Sequence, residues 1–149
     1  MTITFTVPGL PVAQPRQRHA MIAGHVRNYV PSKHAIHDFK ASVKIAAAGA
    51  YRGSLLIGPL EVTIRFVWPC SSSRRKAERG MQSWRAKKPD IDNLCKAVFD
   101  ALNGVLFHDD AQIAGLHASK IEGAHGEQAR TEIEIETRGV YENSRHDVA

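Results

Sequence analysis

Residues 2–7, 60–68 and 131–137 alternate apolar and polar positions with a period of two. Ile3, Phe5 and Val7 share one face of the first stretch. Leu60, Val62, Ile64, Phe66 and Trp68 alternate with Glu61, Thr63 and Arg65 in the second, and Ile133 and Ile135 alternate with glutamates in the third. Each is expected to be a β-strand with one buried face. Residues 112–121 have a mixed pattern and are expected to form a further strand. Residues 123–128 then read as a loop closing an antiparallel hairpin with the last strand. Elsewhere the period becomes helical. Ile36, Phe39, Val43, Ala47 and Ala50 predict a helix over residues 33–51, capped by Ser32 and stopped near Gly53. Ile91, Leu94, Cys95, Val98 and Leu102 predict a second. Pro89 disfavours helix at Lys88, Asp90 takes the N-cap and Asn103-Gly104 supplies the stop. A short hairpin turning at Gly24 is expected within residues 20–30. The order β, hairpin, α, β, α, β, β predicts an α+β fold of two layers, a mixed β-sheet and two main helices.

Composition adds a class to this pattern. The 149 residues, 43% of them hydrophobic with a mean hydropathy of −0.29, suit one globular domain over residues 1–138 and a polar tail over 139–149. No secretory signal or membrane-spanning run is expected. Two cysteines, Cys70 and Cys95, make no disulfide framework, so a cytoplasmic location is expected. Lysines and arginines number 20 against 15 acids, a net charge of +5. Their distribution says more than their total. Arg74, Arg75, Lys76, Arg79, Arg85, Lys87 and Lys88 fall between the second strand and the second helix, against the single acid Glu78, with Trp84 among them. A flexible cationic loop with one aromatic suits nucleic acid: the charges neutralise phosphates and the indole stacks on a base. Trp84 reads equally as a core anchor. Arg16 and Arg18 form a smaller basic group, a solvated loop or a phosphate contact. His34 and His37 lack a third metal ligand in view.

The basic run leads into acids. Asp90 and Asp92 are two apart, and two helical residues at that spacing point about 200° apart. If Asp90 is outside the helix, its side chain can swing beside Asp92. Asp109 and Asp110, just past the helix stop, can close the cluster from a neighbouring strand. Crowded carboxylates repel unless a cation sits among them, and hard oxygen ligands suit Mg²⁺. The plain alternative is that first-turn acids complement the helix dipole, and that Asp92 and Lys96 form a surface pair.

The stretch Lys-Pro-Asp-Ile-Asp-Asn-Leu-Cys-Lys-Ala-Val-Phe-Asp-Ala-Leu-Asn-Gly-Val-Leu-Phe-His-Asp-Asp-Ala-Gln-Ile, residues 88–113, closely resembles the signature of the RusA family of Holliday junction resolvases. The likeness extends weakly to the first strand, to Pro15-Arg16-Gln17-Arg18 and to the final strand pair. It implies a homodimeric, Mg²⁺-dependent endodeoxyribonuclease, with Mn²⁺ as a substitute, nicking four-way or other branched DNA symmetrically in recombination and repair. Members occur in bacteria and in prophages. The resemblance carries catalytic, metal-holding acids onto Asp90, Asp92 and Asp110, with Asp109 as the other half of the pair, and an essential lysine onto Lys96. Pro89 departs from members with a basic residue there; Lys88 lies one residue upstream. A non-catalytic branched-DNA-binding protein, or a nuclease for flaps or forks, are the competing readings.

Overall fold

The computed structural model describes residues 1–15, 18–29 and 34–139. Seven strands and two α-helices run in the order β1 (Thr2–Pro8), β2 (Arg18–Ile22), β3 (His25–Tyr29), α1 (Ala35–Ala50), β4 (Leu60–Trp68), β5 (Ser83–Trp84), α2 (Ile91–Leu102), β6 (Ile113–Glu122) and β7 (Arg130–Thr137). Five strands form one sheet in the order β1-β7-β4-β6-β5; β2 and β3 make the separate hairpin, turning at Ala23-Gly24 as expected. The pair β4–β6 is parallel and the other pairs are antiparallel, so the sheet is mixed. Among the described residues no helix is long and apolar enough to cross a membrane.

The last two strands do not form the hairpin that residues 123–128 predicted. β4 lies between them, parallel to β6 and antiparallel to β7. The reason is burial. Leu60, Val62, Ile64, Phe66 and Val67 of β4 are fully buried, and a strand this apolar belongs at the centre of a sheet. The connection therefore crosses the end of β4, where the Gly123 N–H donates to the carbonyl of Trp68 at 2.7 Å.

Both helices pack on one face, α1 against β1 and α2, and α2 over β6. Ile36, Phe39, Val43 and Ala47 of α1 meet Leu94, Val98, Ala101 and Leu102 of α2 in a single core. The opposite face, with Thr4, Thr63, Arg65, Glu132 and Glu134, is polar. α1 starts two residues later than its periodicity suggested. Ser32 lies outside the described residues, and the cap is His34, whose Nδ1 accepts the Ile36 N–H at 3.0 Å. α2 matches its expected limits, with Asn103 at the C-cap and Gly104 at φ +75°.

A register shift in β6 has consequences for the site. Leu60 pairs with Ile113 but Glu61 with Gly115, so Ala114 is an extra residue. A one-residue slip moves a strand's side chains to the other face. Beyond it Leu116, Ala118, Lys120 and Glu122 lie opposite Val62, Ile64, Phe66 and Trp68, on the face that the helices cover.

Candidate active site

One cleft of about 490 Å³ lies between α2 and β6, lined by Ile91, Asp92, Cys95, Lys96, Phe99, Asp110, Leu116 and Ala118. Asp92, Lys96 and Asp110 thus come together from the two ends of the central motif. The floor is apolar. Cys95 belongs to it: burial first, then the charge of Asp92, pushes its thiol up to about 11, which makes it an unreactive core residue.

The helix supplies Asp92 and Lys96. Asp92 Oδ1 accepts the N–H of Asn93 at 2.9 Å. Asp90 occupies the N-cap with φ −71° and ψ 141°, yet its side chain makes no capping hydrogen bond. It is exposed at the head of the helix and is not among the residues lining the cleft. Lys96 Nζ lies 3.9 Å from Asp100 Oδ1, and Lys40 of α1 reaches the other oxygen of Asp100 at 3.8 Å.

Asp109 caps and Asp110 begins a 3₁₀ turn, Asp110–Gln112, that leads directly into β6. Leu106 and Phe107, both fully buried, anchor the chain just before it. Asp109 Oδ1 accepts the Ala111 N–H at 2.8 Å, and Gln112 Oε1 accepts the N–H groups of His108 and Asp109 at 2.9 and 3.2 Å. Gln112 Nε2 in turn donates to the carbonyls of Leu56 and Gly58 at 3.0 and 3.1 Å. The turn is thereby bolted to the segment leading into β4.

Its two acids titrate in opposite directions. The Ala111 N–H, then a hydrogen bond from Asp110, holds the Asp109 carboxyl below the usual range. Partial burial, the hydrogen bond to Asp109 and the charges of Asp109 and Asp100 push Asp110 up, against the pull of Lys96. Removing the Asp100 charge removes one of the raising causes. Asp100→Asn is therefore expected to lower the Asp110 titration midpoint, so that Asp110 stays ionised to lower pH. Carboxyl ¹³C titration measures this, and an unchanged or higher midpoint would count against the arrangement.

The expected crowding of three or four carboxylates is not seen among the described residues. Among the described residues no three His, Cys, Asp or Glu side chains lie close enough to hold one ion. Asp90 stands one residue outside the helix on extended backbone, and Asp109 is turned to its own loop; Asp92 and Asp110 remain facing the cleft.

The cationic run also departs from the expected flexible loop. Arg74 is folded inward. Its guanidinium donates to the carbonyls of Gly123, Glu78 and Met81 at 3.1, 2.7 and 2.7 Å and pairs with buried Glu122 at 3.7 Å. Arg79 donates to the carbonyls of Arg74 and Ser72 at 3.0 and 2.8 Å. Arg85 lies over the Trp68 ring at 4.4 Å and donates to the Lys88 carbonyl at 3.0 Å. These three are engaged by the protein's own backbone carbonyls. Arg75, Lys76, Lys87 and Lys88 are exposed. Trp84, on the short edge strand β5, is 80% exposed, which excludes the core-anchor reading. Arg18 begins β2, and Arg16 lies outside the described residues.

Three further side chains belong to this region and were not singled out from the sequence: Asp100, Gln112 and Lys120. Asp100 follows Asp92 and Lys96 at steps of four along one helix, a visible signal. Lys120 falls in the alternating inward row of β6, where a lysine is out of place. Gln112 carries a weaker signal, the capping-box spacing three residues after Asp109, while its other partners, the carbonyls of Leu56 and Gly58, are distant in sequence.

The family model described as Endodeoxyribonuclease RusA matches residues 8–136. The chain is 34% identical over 142 residues to a Bacillus subtilis (strain 168) protein named "Uncharacterized protein YqaN", covering 89% of this chain and 94% of that one. It is 32% identical over 78 residues to the crossover junction endodeoxyribonuclease rusA of Lactococcus phage r1t, covering 52% of this chain and 53% of that one. The match over residues 8–136 takes in both helices, strands β4, β5 and β6, nearly all of β7 and the whole cleft, so the chain belongs to the RusA family of endodeoxyribonucleases.

Proposed function

We propose that this protein is a Mg²⁺-dependent endonuclease that resolves four-way DNA junctions by paired nicks, in recombination and repair. The observation that carries the reading is the cleft holding Asp92, Lys96 and Asp110 together within the family match. The donor set fits a hard cation. Asp92 and Asp110 offer carboxylate oxygens, the one thiol nearby is protonated, and Mg²⁺ is commonly held by one or two carboxylates with substrate phosphate and water completing the shell. Asp90, exposed at the helix head without a capping hydrogen bond, is the third acid that the reading assigns to the ion. A divalent ion held there supplies Lewis-acid polarisation of the scissile phosphate and a readily deprotonated water.

The chain's own residues do the rest. Lys96 brings a cation to the rim of the cleft, where it offsets charge developing on the phosphate oxygens. Asp109 fixes the turn that presents Asp110. Arg75, Lys76, Lys87 and Lys88 provide phosphate contacts, and Trp84 a stacking surface. A two-fold homodimer offers two such clefts to opposing strands of a branch, Mn²⁺ substitutes for Mg²⁺, and the protein works in the cytoplasm.

A labelled four-way junction incubated with and without Mg²⁺, beside flap and fork substrates, tests the reading. Symmetric nicks in the junction that need the ion are expected. A shifted but uncut junction across divalent ions would leave a binding protein without chemistry, and preferential cutting of flaps or forks would change the substrate. Trp84→Ala is expected to weaken junction affinity about tenfold, within the roughly 1–3 kcal/mol of one stacked base, and to leave the melting temperature unchanged. Filter binding and thermal melting check the two halves; a large loss of melting temperature would place the indole in the fold's support instead.

A further inference from the structure

The inward row of β6 reads Leu116, Ala118, Lys120 and Glu122. Its first two members line the cleft; its last two are charged, at positions where a sheet covered by helices ordinarily buries apolar side chains. Both charges have partners in the segment between β4 and α2. Glu122 accepts the Ser71 N–H at 2.7 Å and pairs with Arg74, holding the beginning of that segment. Lys120 holds its end. Its Nζ donates to the carbonyls of Lys87 and Pro89 at 2.6 and 2.9 Å. Arg85 donates to the carbonyl between them, that of Lys88, at 3.0 Å, and its own N–H donates to the Lys120 carbonyl at 3.0 Å.

Three consecutive carbonyls immediately before Asp90 are thus held by two cationic side chains. Helix stability does not account for them. A positive charge beside a helix N-terminus opposes the helix dipole, and acids are the residues that help there. What the two cations do is fix the path of residues 87–89, and so the place where the first turn of α2 begins. On the other side of that turn, the Gln14 N–H donates to the Asn93 carbonyl at 3.0 Å. The segment from Asp90 to Asn93 is clamped between these points, although Asp90 makes no cap of its own.

We infer that Lys120, assisted by Arg85, is a positioning residue for the acids at the head of α2, fixing Asp90 at the N-cap and setting Asp92 against Asp110 across the cleft. Arg85 is thereby moved from the DNA-contacting surface to the support of the site. The inference rests on the active-site reading above for its effect on cleavage, but not for its effect on the backbone. A group that orients metal-holding side chains commonly alters metal affinity or activity about 10–100-fold when it is lost.

The test compares the wild type with Lys120→Met, Lys120→Arg and, as a control, Lys44→Met, exposed on α1. Three quantities are read: amide hydrogen exchange of residues 90–93, junction affinity without divalent ion, and single-turnover cleavage across a Mg²⁺ titration. For Lys120→Met, faster exchange at residues 90–93, unchanged affinity, cleavage reduced about 10–100-fold and a higher Mg²⁺ requirement are expected. Lys120→Arg, which keeps a charged donor, restores most of the rate, and Lys44→Met matches the wild type in all three. Should Lys120→Met fail to fold, Lys120→Gln, which keeps a donor without the charge, is read in its place. Affinity falling in step with cleavage would make Lys120 a phosphate contact and overturn the inference; so would unchanged exchange at residues 90–93. If the wild type itself cuts nothing, the active-site reading fails, and the exchange measurement alone decides whether Lys120 sets the backbone.

Discussion

Asp92→Asn is expected to abolish cleavage of branched DNA while leaving the fold and the binding of that DNA in place. Asp92 is exposed at the edge of the cleft, and its hydrogen bond from the Asn93 N–H is one that an amide oxygen accepts equally. The substitution therefore removes a charge and little else, and the melting temperature is expected to stay where it was. The loss of rate follows from what a carboxylate does for a divalent ion. If the ion contributes about 4 kcal/mol of charge stabilisation, losing it slows the reaction roughly 10³-fold. Affinity is expected to hold or improve, because one negative charge facing the phosphates has gone. Gel shift without divalent ion and single-turnover cleavage with it separate the two effects. Undiminished Mg²⁺-dependent cutting by this variant would remove Asp92 from the site.

Lys96→Met is expected to lower the cleavage rate about 10²–10³-fold, the range for losing one group aimed at developing charge. The lysine side chain is 60% exposed and its contact with Asp100 is long, 3.9 Å, so its loss disturbs packing little. It also removes the one charge that pulls Asp110 down. The acid limb of the pH–rate profile therefore moves to higher pH in Lys96→Met: Asp110, already raised, ionises later still. That direction is opposite to the one expected for Asp100→Asn. Lys96→Arg keeps a cation and restores the position of the acid limb, but a planar guanidinium does not replace a compact ammonium, so the rate stays low. A Lys96→Met variant with normal rate and an unmoved acid limb would reduce the lysine to a surface pair with Asp100.

Both predictions draw on a motif that was plain in the sequence, and the reason lies in how locally it is encoded. Pro89, Asp90, the apolar stripe from Leu94 to Leu102 and Asn103-Gly104 specify α2 within residues 89–104. The strict alternation in β1, β4 and β7 is equally local. What escaped was non-local. The insertion of β4 between β6 and β7 depends on which strand is most buried, which compares segments rather than reading one. The inward turn of Arg74 and Arg79 depends on carbonyls that only a folded loop presents, so a dense cationic run looked more solvated than it is. Ile91 shows the limit of periodicity itself: it completes the apolar stripe of α2 but is 37% exposed, at the mouth of the cleft. The separation of Asp90 and Asp109 from the cleft followed from single backbone hydrogen bonds and one step of extended chain, details that no residue pattern carries.

The whole account depends on Asp92 and Asp110, brought from opposite ends of the motif, sharing one divalent ion. Anomalous diffraction from crystals soaked in Mn²⁺ looks at this directly. The account predicts a peak in the α2–β6 cleft within bonding distance of both carboxylates, about 2.0–2.1 Å by analogy with Mg²⁺. An ion bound by residues elsewhere, with neither Asp92 nor Asp110 touching it, would contradict the account.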